Sequence, residues 1–413
     1  MITSKAKARL EKHLAIAMAF PFFDIADTGA VLKGTTIVAK APAGVKFTTD
    51  SSEYGPISFT PTLSQDASGN WILTGYTEKA SEDTLTAVDT HEIMNQAWFA
   101  TVNSLSKRLG DLRQHQLYAS QEFGTRATKQ APLNTKDDGT TISLATTPLS
   151  PSADDGVWAR YQRATTQANR GRMAELNANL LQVGYDKAFN VKNGVSYVGI
   201  AVDHLNGAGE YERGSSKVSG NSVALYNTWL GNKGHYYDVI LRQGNFNNDY
   251  HLTDLSKVES TGDYNIQATT LSGEYGFRKE LKGGRWYEPQ AELILGHLSS
   301  ADYVTKYRWK NWDVHVDATN HFITRLGIAT GTKISNGSIY GRTSYYHDFG
   351  GADSSITYGA YAGDRAALRD WVELTAGGEF QLDRNLQVYG ELTKYLGDLT
   401  NNLNVNVGLR WSF

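Results

Sequence analysis

The sequence predicts an all-β protein, a twelve-stranded antiparallel transmembrane β-barrel preceded by one long α-helix. Three observations point there. From Gly156 onward, twelve strand-length segments succeed one another with turn residues between them, near 157–165, 178–190, 194–206, 216–230, 234–247, 263–280, 284–297, 320–334, 337–349, 370–382, 385–396 and 401–413. Many exceed ten residues, whereas strands of soluble sandwiches average about five to six. The charges also keep to one face. In WYEPQAELILG, Tyr287, Pro289, Ala291, Leu293 and Leu295 point one way while Glu288, Gln290 and Glu292 point the other. A lysine or arginine facing lipid at mid-bilayer costs about 2–4 kcal/mol, so strand charges belong in the lumen. Arg160 in the first strand joins Glu288, Gln290 and Glu292 in that lumen-facing set.

Composition agrees. Forty Gly and 23 Tyr against 8 Pro favour many turns and aromatic-bearing strands. A net charge of −3 gives no global basic field for nucleic acid. The absence of cysteine removes disulfides, thiolate catalysis and cysteine metal sites. No run of about 18 apolar residues predicts a transmembrane helix. A mean hydropathy of −0.42 looks soluble, but a membrane barrel exposes apolar groups only at every second position.

Residues 1–33 read either as a signal or as a passenger remnant. Lys5, Lys7, Arg9 and Lys12 precede an apolar run from Leu14 to Phe23, as in a signal peptide. Glu11 and His13 interrupt the charged part, and an amphipathic helix or a start within a longer chain would fit as well. Residues 34–83 hold short strand-like pieces separated by turn residues. A helix is predicted over 84–116, where Ile93, Ala97, Phe99, Val102, Leu105, Leu109 and Leu112 recur at intervals near three and four. Residues 117–155 are polar and turn-rich and read as a linker. The barrel takes 156–413. Its links are tight at 190–194, 231–234, 282–285, 335–337 and 383–384 and long at 298–319 and 350–369, which predicts short turns on one rim and long loops on the other.

The final strand alternates to its last residue. Leu403, Val405, Val407, Leu409, Trp411 and Phe413 share one face, and Asn402, Asn404, Asn406, Gly408, Arg410 and Ser412 the other. Terminal residues usually fray unless tied down, so the end itself is expected to be paired or recognised.

SLSKRLGDLR closing the helix, GVWARYQR opening the barrel, LLQVGYDKAF, RWYEPQAELILGHL and the terminal VNVGLRWSF resemble, in matching order over about residues 84–413, the C-terminal translocator of the autotransporters, the type V secretion family. TIVAKAPAGVKFTT and GNWILTGY resemble the end of a passenger, its autochaperone segment. The resemblance implies a bacterial outer-membrane barrel surrounded by lipid, a helix through its pore and a small β-helix-like passenger remnant at the cell surface. It implies a monomeric barrel that exports its own passenger segment, with periplasmic chaperones and the barrel-assembly machinery as partners. The outward face of the last strand, from Leu403 to Phe413, resembles the sorting signal which that machinery reads. An unpaired strand edge offers backbone hydrogen bonds, and alternate side chains give register. Lys107, Arg108, Asp111 and Arg113 on the pore helix are placed to meet lumen carboxylates such as Glu288 and Glu292.

Enzyme chemistry finds little support. Ten scattered histidines form no HExxH, no GxSxG elbow occurs, and no cofactor or metal is expected. Glu288 and Glu292 read as lumen lining rather than an acid/base pair, and DDG at Asp137–Gly139 reads as a turn rather than a calcium loop. A porin-like channel, an outer-membrane hydrolase and a soluble carbohydrate-binding β protein are the alternatives. Tyr161, Tyr185, Tyr197, Trp229, Tyr236, Tyr287 and Trp371 are candidates for aromatic girdles at the membrane interfaces.

Overall fold

In the computed structural model the described residues are 37–40, 51–103, 105, 154–169, 172–254, 257–308, 310–350, 354–365, 368–383 and 385–413. Among them, twelve long strands form a closed antiparallel barrel. These are Gly156–Asn169 (β1), Met173–Val191 (β2), Gly194–Tyr211 (β3), Gly214–Gly231 (β4), His235–Thr253 (β5), Glu259–Phe277 (β6), Arg285–Leu298 (β7), Thr319–Ile334 (β8), Gly337–Asp348 (β9), Asp370–Gln381 (β10), Leu386–Gly397 (β11) and Asn404–Ser412 (β12). Each pairs with its sequence neighbour. β12 then pairs with β1, Val407 opposite Tyr161, so no edge is left open.

Side-chain parity decides which way each residue faces. β5 alternates exposed and buried almost without a break. Ile200, Leu225, Leu241, Leu271 and Leu295 lie side by side on the outer wall at one level and are all exposed. Such an outward apolar band needs lipid around it. Four residues further along β3 to β6, the outward row is His204, Asn221, Asn245 and Gln267. The strands thus continue past the apolar band as a polar outer wall.

One rim carries tight turns. Between β2 and β3 Asn193 adopts φ 66°, the left-handed conformation that a tight hairpin turn requires. The other rim is uneven. The β1–β2 and β3–β4 links are short, while the β7–β8 and β9–β10 links each fold into a hairpin, Ala301–Tyr307 with Lys310–Val316 and Ser354–Tyr358 with Tyr361–Arg365. The two hairpins pair with each other, Val314–Val316 against Ile356–Tyr358. The expected long loops are therefore an extension of the sheet, and long loops do not occupy the whole rim.

Above this loop rim lies a four-stranded sheet made of Ile37–Lys40, Ser52–Tyr54, Ile57–Gln65 and Asn70–Ala80. Its order is first, fourth, third, second, with every pairing antiparallel. The β-helix-like remnant is corrected on this point. The short turns at 55–56 and 66–69 set the third strand beside the second and the fourth beside the third, and the first strand pairs antiparallel with the fourth, whereas a β-helix stacks its strands in parallel.

From the sheet the chain enters a helix (α1), helical over residues 82–103 with Leu105 also helical. Ser81 caps it, its Oγ accepting a hydrogen bond from the Thr84 amide at 3.2 Å. At 1.5 Å per residue it is about 33 Å long, enough to cross a bilayer core inside the barrel.

Candidate functional site

The bore is occupied by α1, which is buried on every face. Ile93, Ala97 and Val102 are buried, and so are Thr90, His91, Asn95, Gln96 and Asn103 between them. Several strands hold it. At the loop rim, Arg172 in the β1–β2 link donates from Nη1 to Glu82 Oε2 at 2.7 Å, from Nε to Asp89 Oδ2 at 2.9 Å and from Nη2 to Thr86 Oγ1 at 3.1 Å. Gln96 donates to the Ala174 carbonyl at 3.1 Å and accepts from Thr166 at 2.8 Å.

Lower down, Trp98 Nε1 donates to Thr270 Oγ1 at 2.8 Å, and its indole stacks on His321 with centroids 4.6 Å apart. Asn103 Nδ2 donates to Glu373 Oε2 at 3.0 Å and to the Tyr395 hydroxyl at 2.6 Å. Leu105 ends among Trp158, Tyr197, Tyr226 and Tyr236, close to the turn rim. The helix therefore runs from the loop rim almost to the turn rim.

The mouth is sealed by a polar joint between the four-stranded sheet, α1 and the barrel. Ser81 Oγ donates to the Gly55 carbonyl at 2.6 Å, and Thr84 Oγ1 to the Pro56 carbonyl at 3.0 Å. Gly55, at φ 57°, lies against Trp312 of the first hairpin, whose Nε1 would be 2.6 Å from a Cβ there. Glu53 accepts from Arg213 in the β3–β4 link at 2.9 Å and from the Glu82 amide at 3.0 Å. Asp254 accepts from the Tyr307 hydroxyl at 2.7 Å, and Asp83 from Ser260 Oγ at 3.3 Å. Burial, and then the nearby Asp254 and Glu53 carboxylates, push the Asp83 carboxyl up to about 7.

Below the mouth, the inner wall is a lattice of ion pairs. Glu288 accepts from Arg278 Nε at 2.5 Å, from Tyr236 at 3.1 Å and from Gln290 at 2.7 Å. Arg325 joins Glu292 at 2.7 Å, Glu274 at 2.8 Å and Gln290 at 2.9 Å. Arg160 pairs with Glu391 at 2.9 Å. Glu288, Gln290, Glu292 and Arg160 are thus all buried in the interior. Lys107, Arg108, Asp111 and Arg113 lie outside the described residues, as do residues 1–33 and 117–153.

In β12, Val405, Val407, Leu409 and Trp411 are exposed on the outer wall, flanked by exposed Leu403 and Phe413, while Asn404, Asn406, Arg410 and Ser412 face inward. The Phe413 amide donates to the Asp155 carbonyl at 3.0 Å, so the end is paired.

The aromatic girdle needs correction. Tyr161 and Tyr185 are exposed on the outer wall, and Trp229 and Tyr287 are half-buried. Tyr197, Tyr236 and Trp371 are buried inside. Parity gives the reason. Tyr197 and Tyr236 sit out of step with outward Val198 and Tyr237, and Trp371 sits in step with inward Glu373. Strand periodicity alone does not single out Arg172, Thr270 and His321, which hold the helix. One sequence signal for a helix enclosed on all sides was present, since no charged residue occurs from Ile93 to Ser106. A surface helix would carry charge on its outer face. Among the described residues, no three His, Cys, Asp or Glu side chains are grouped to hold a metal ion.

A closed barrel with an apolar outer band, an ionic inner wall and its own N-terminal helix in the bore defines a membrane-embedded translocator class. The chain belongs to the autotransporter family, since the family model for the autotransporter beta-domain matches residues 157–393. It is similar to the BrkA autotransporter of Bordetella pertussis, 29% identical over 269 residues, covering 62% of this chain and 26% of the relative. It is also similar to the serine protease EspC of Escherichia coli O127:H6, 26% identical over 367 residues, covering 88% of this chain and 23% of the relative. The crystal structure of the beta domain of the Bordetella autotransporter BrkA superposes with a TM-score of 0.55 at 26% identity, covering 63% of this chain and all of that one. The chain thus spans about a quarter of the length of these curated relatives. Autotransporter beta-barrel domains are outer-membrane proteins, and a translocator barrel is not itself a catalyst.

Proposed function

We propose that this chain inserts as a barrel in the outer membrane and carries its own N-terminal segment outward through the bore, with α1 as the last part of that segment to remain inside. The observation that carries the reading is the path of the chain. The four-stranded sheet is at the loop rim, α1 descends through the bore, and β1 begins at the turn rim. In outer-membrane barrels the short turns face the periplasm and the longer loops face outward. The sheet over residues 51–80 is then the surface-exposed end of the exported segment. Lipid contacts the outer band, and the barrel acts as a monomer.

The assembly machinery and periplasmic chaperones are the partners this reading requires. The row Leu403, Val405, Val407, Leu409, Trp411 and Phe413 is the face that the machinery would read before the barrel closes. Lys107, Arg108, Asp111 and Arg113 would hold the lower end of α1.

The test is protease treatment of intact cells together with planar-bilayer conductance. Residues 51–80 are expected to be cut from outside, and deleting residues 84–113 should turn a nearly closed barrel into a conducting one. High conductance that the deletion leaves unchanged would instead support a porin-like channel. Recovery of the chain in the cytosolic fraction would overturn both.

A further inference from the structure

We propose that Arg160 and Arg410 fix the register in which the barrel closes. The seam between β1 and β12 differs from every other contact in the barrel. The other strand pairs are sequence neighbours, whereas the seam joins strands at opposite ends of the domain, so closing it carries the largest loop-closure cost. Like the neighbouring β11–β12 ladder, that of β12 on β1 is short, with eight register pairs against nineteen between β5 and β6, although Leu399 and Thr400 add two more pairs on β1.

Outward alternation cannot set that register alone. A slip of one residue turns every apolar side chain inward, but a slip of two restores the alternation. Buried charges do distinguish the two-residue slip. Arg160 of β1 crosses β12 to reach Glu391 of β11 at 2.9 Å, and on the way its Nε donates to Asn406 of β12 at 3.2 Å. Arg410 of β12 crosses β1 in the opposite sense and holds Asp186 of β2 at 2.8 and 2.6 Å. Its Nη2 also donates to the Asp154 carbonyl at 3.2 Å.

The crossing is built into the backbone. Gly156 lies opposite both Ser412 and Asp186, and a Cβ on it would be 2.5 Å from the Arg410 guanidinium carbon. Four consecutive strands, β11, β12, β1 and β2, are therefore tied across the seam by side chains no more than 1% exposed. A slipped closure leaves both guanidinium groups away from their carboxylates in a buried setting, where an uncompensated charge is strongly unfavourable. Arg160 and Arg410 act as positioning residues for barrel closure, whatever the barrel exports.

The full chain has no cysteine, so disulfide trapping reads the seam directly. Tyr161→Cys with Val407→Cys reports the native register. Tyr161→Cys with Leu409→Cys reports the two-residue slip, because those positions lie too far apart to bridge in the native barrel. In the Arg160→Gln/Arg410→Gln background, slipped cross-links should rise by at least about tenfold, the smallest change expected from loss of two buried pairs. A control pair, Leu225→Cys with Leu241→Cys across β4 and β5, should be unchanged. Unchanged slipped cross-linking, or an equal change at the control pair, overturns the proposal. If the double variant gives no folded barrel, Arg410→Asp combined with Asp186→Arg decides. Recovery of the native seam cross-link, relative to Arg410→Asp alone, supports the assignment, and failure to recover it overturns it.

Discussion

Trp98 of α1 stacks on His321 of β8, and its indole lies over Gly296 of β7, where a Cβ would come within 2.2 Å of Trp98 Cζ2. The glycine is what lets the largest side chain of the helix reach the wall. Gly296→Ala should therefore push the helix off its seat and cost about 1–3 kcal/mol, as overpacking does. A heat-modifiability gel checks this, with the variant losing its compact unheated band at a lower temperature. Trp98→Ala should suppress the difference between Gly and Ala at 296.

Arg172 holds Glu82 and Asp89 together, and Asp89 is fully buried. Arg172→Ala leaves that carboxylate without its arginine, a loss of about 1–3 kcal/mol once the partial exposure of the guanidinium is discounted. The plug should open more often, seen as more frequent current bursts in planar bilayers. Arg172→Lys should restore only part of the closure, since one ammonium cannot reproduce the forked contact with two acids and Thr86.

Asp83 gives the mouth a pH dependence of defined sign. Its carboxyl is raised from 3.8 to about 7 outside the lipid band, so the folded joint binds this proton more tightly than the unfolded chain does. The stability it contributes is full below 3.8, declines as the pH rises and is gone above about 7. Protease release of the sheet over residues 51–80 should accelerate between about pH 5 and 7, the upper part of that window. Asp83→Asn should flatten the profile, and a slope that persists in this variant would assign the effect to other groups.

Position on the outer wall should grade the cost of a charge. Leu241 is exposed in the apolar band, and Gln243 lies two residues toward the loop rim on the same strand. Leu241→Arg is expected to cost about 2–4 kcal/mol in folding into vesicles, and Gln243→Arg about 0–1. Equal costs would mean that the band does not face lipid.

The pattern of agreement between sequence and structure follows from the solvent on each side of the wall. All twelve barrel strands are legible, but β2 begins at Met173 rather than near 178, β3 runs to Tyr211 rather than 206, β5 to Thr253 rather than 247, and β6 begins at Glu259 rather than 263. Each missing stretch is at the loop rim, where outward residues such as Glu210, Asp249 and His251 are polar and the inward ones mixed. Alternation fades there because both faces are wet or mixed. Lumen residues on β7 were readable because Glu288 and Glu292 contrast with Leu293 and Leu295. Their partners were not readable, because Arg278 and Arg325 come from other segments of the wall and only the closed barrel brings them together.

The grips on α1 come from walls that face one another. Arg172 reaches it from the β1–β2 link, Thr270 and His321 from the middle of the circuit, and Glu373 and Tyr395 from near its end. In mechanical terms the helix is a cross-brace. A pull on the exported segment would be shared around the whole hoop instead of peeling away one strand, and a cylinder emptied of its helix would flex more easily into an oval.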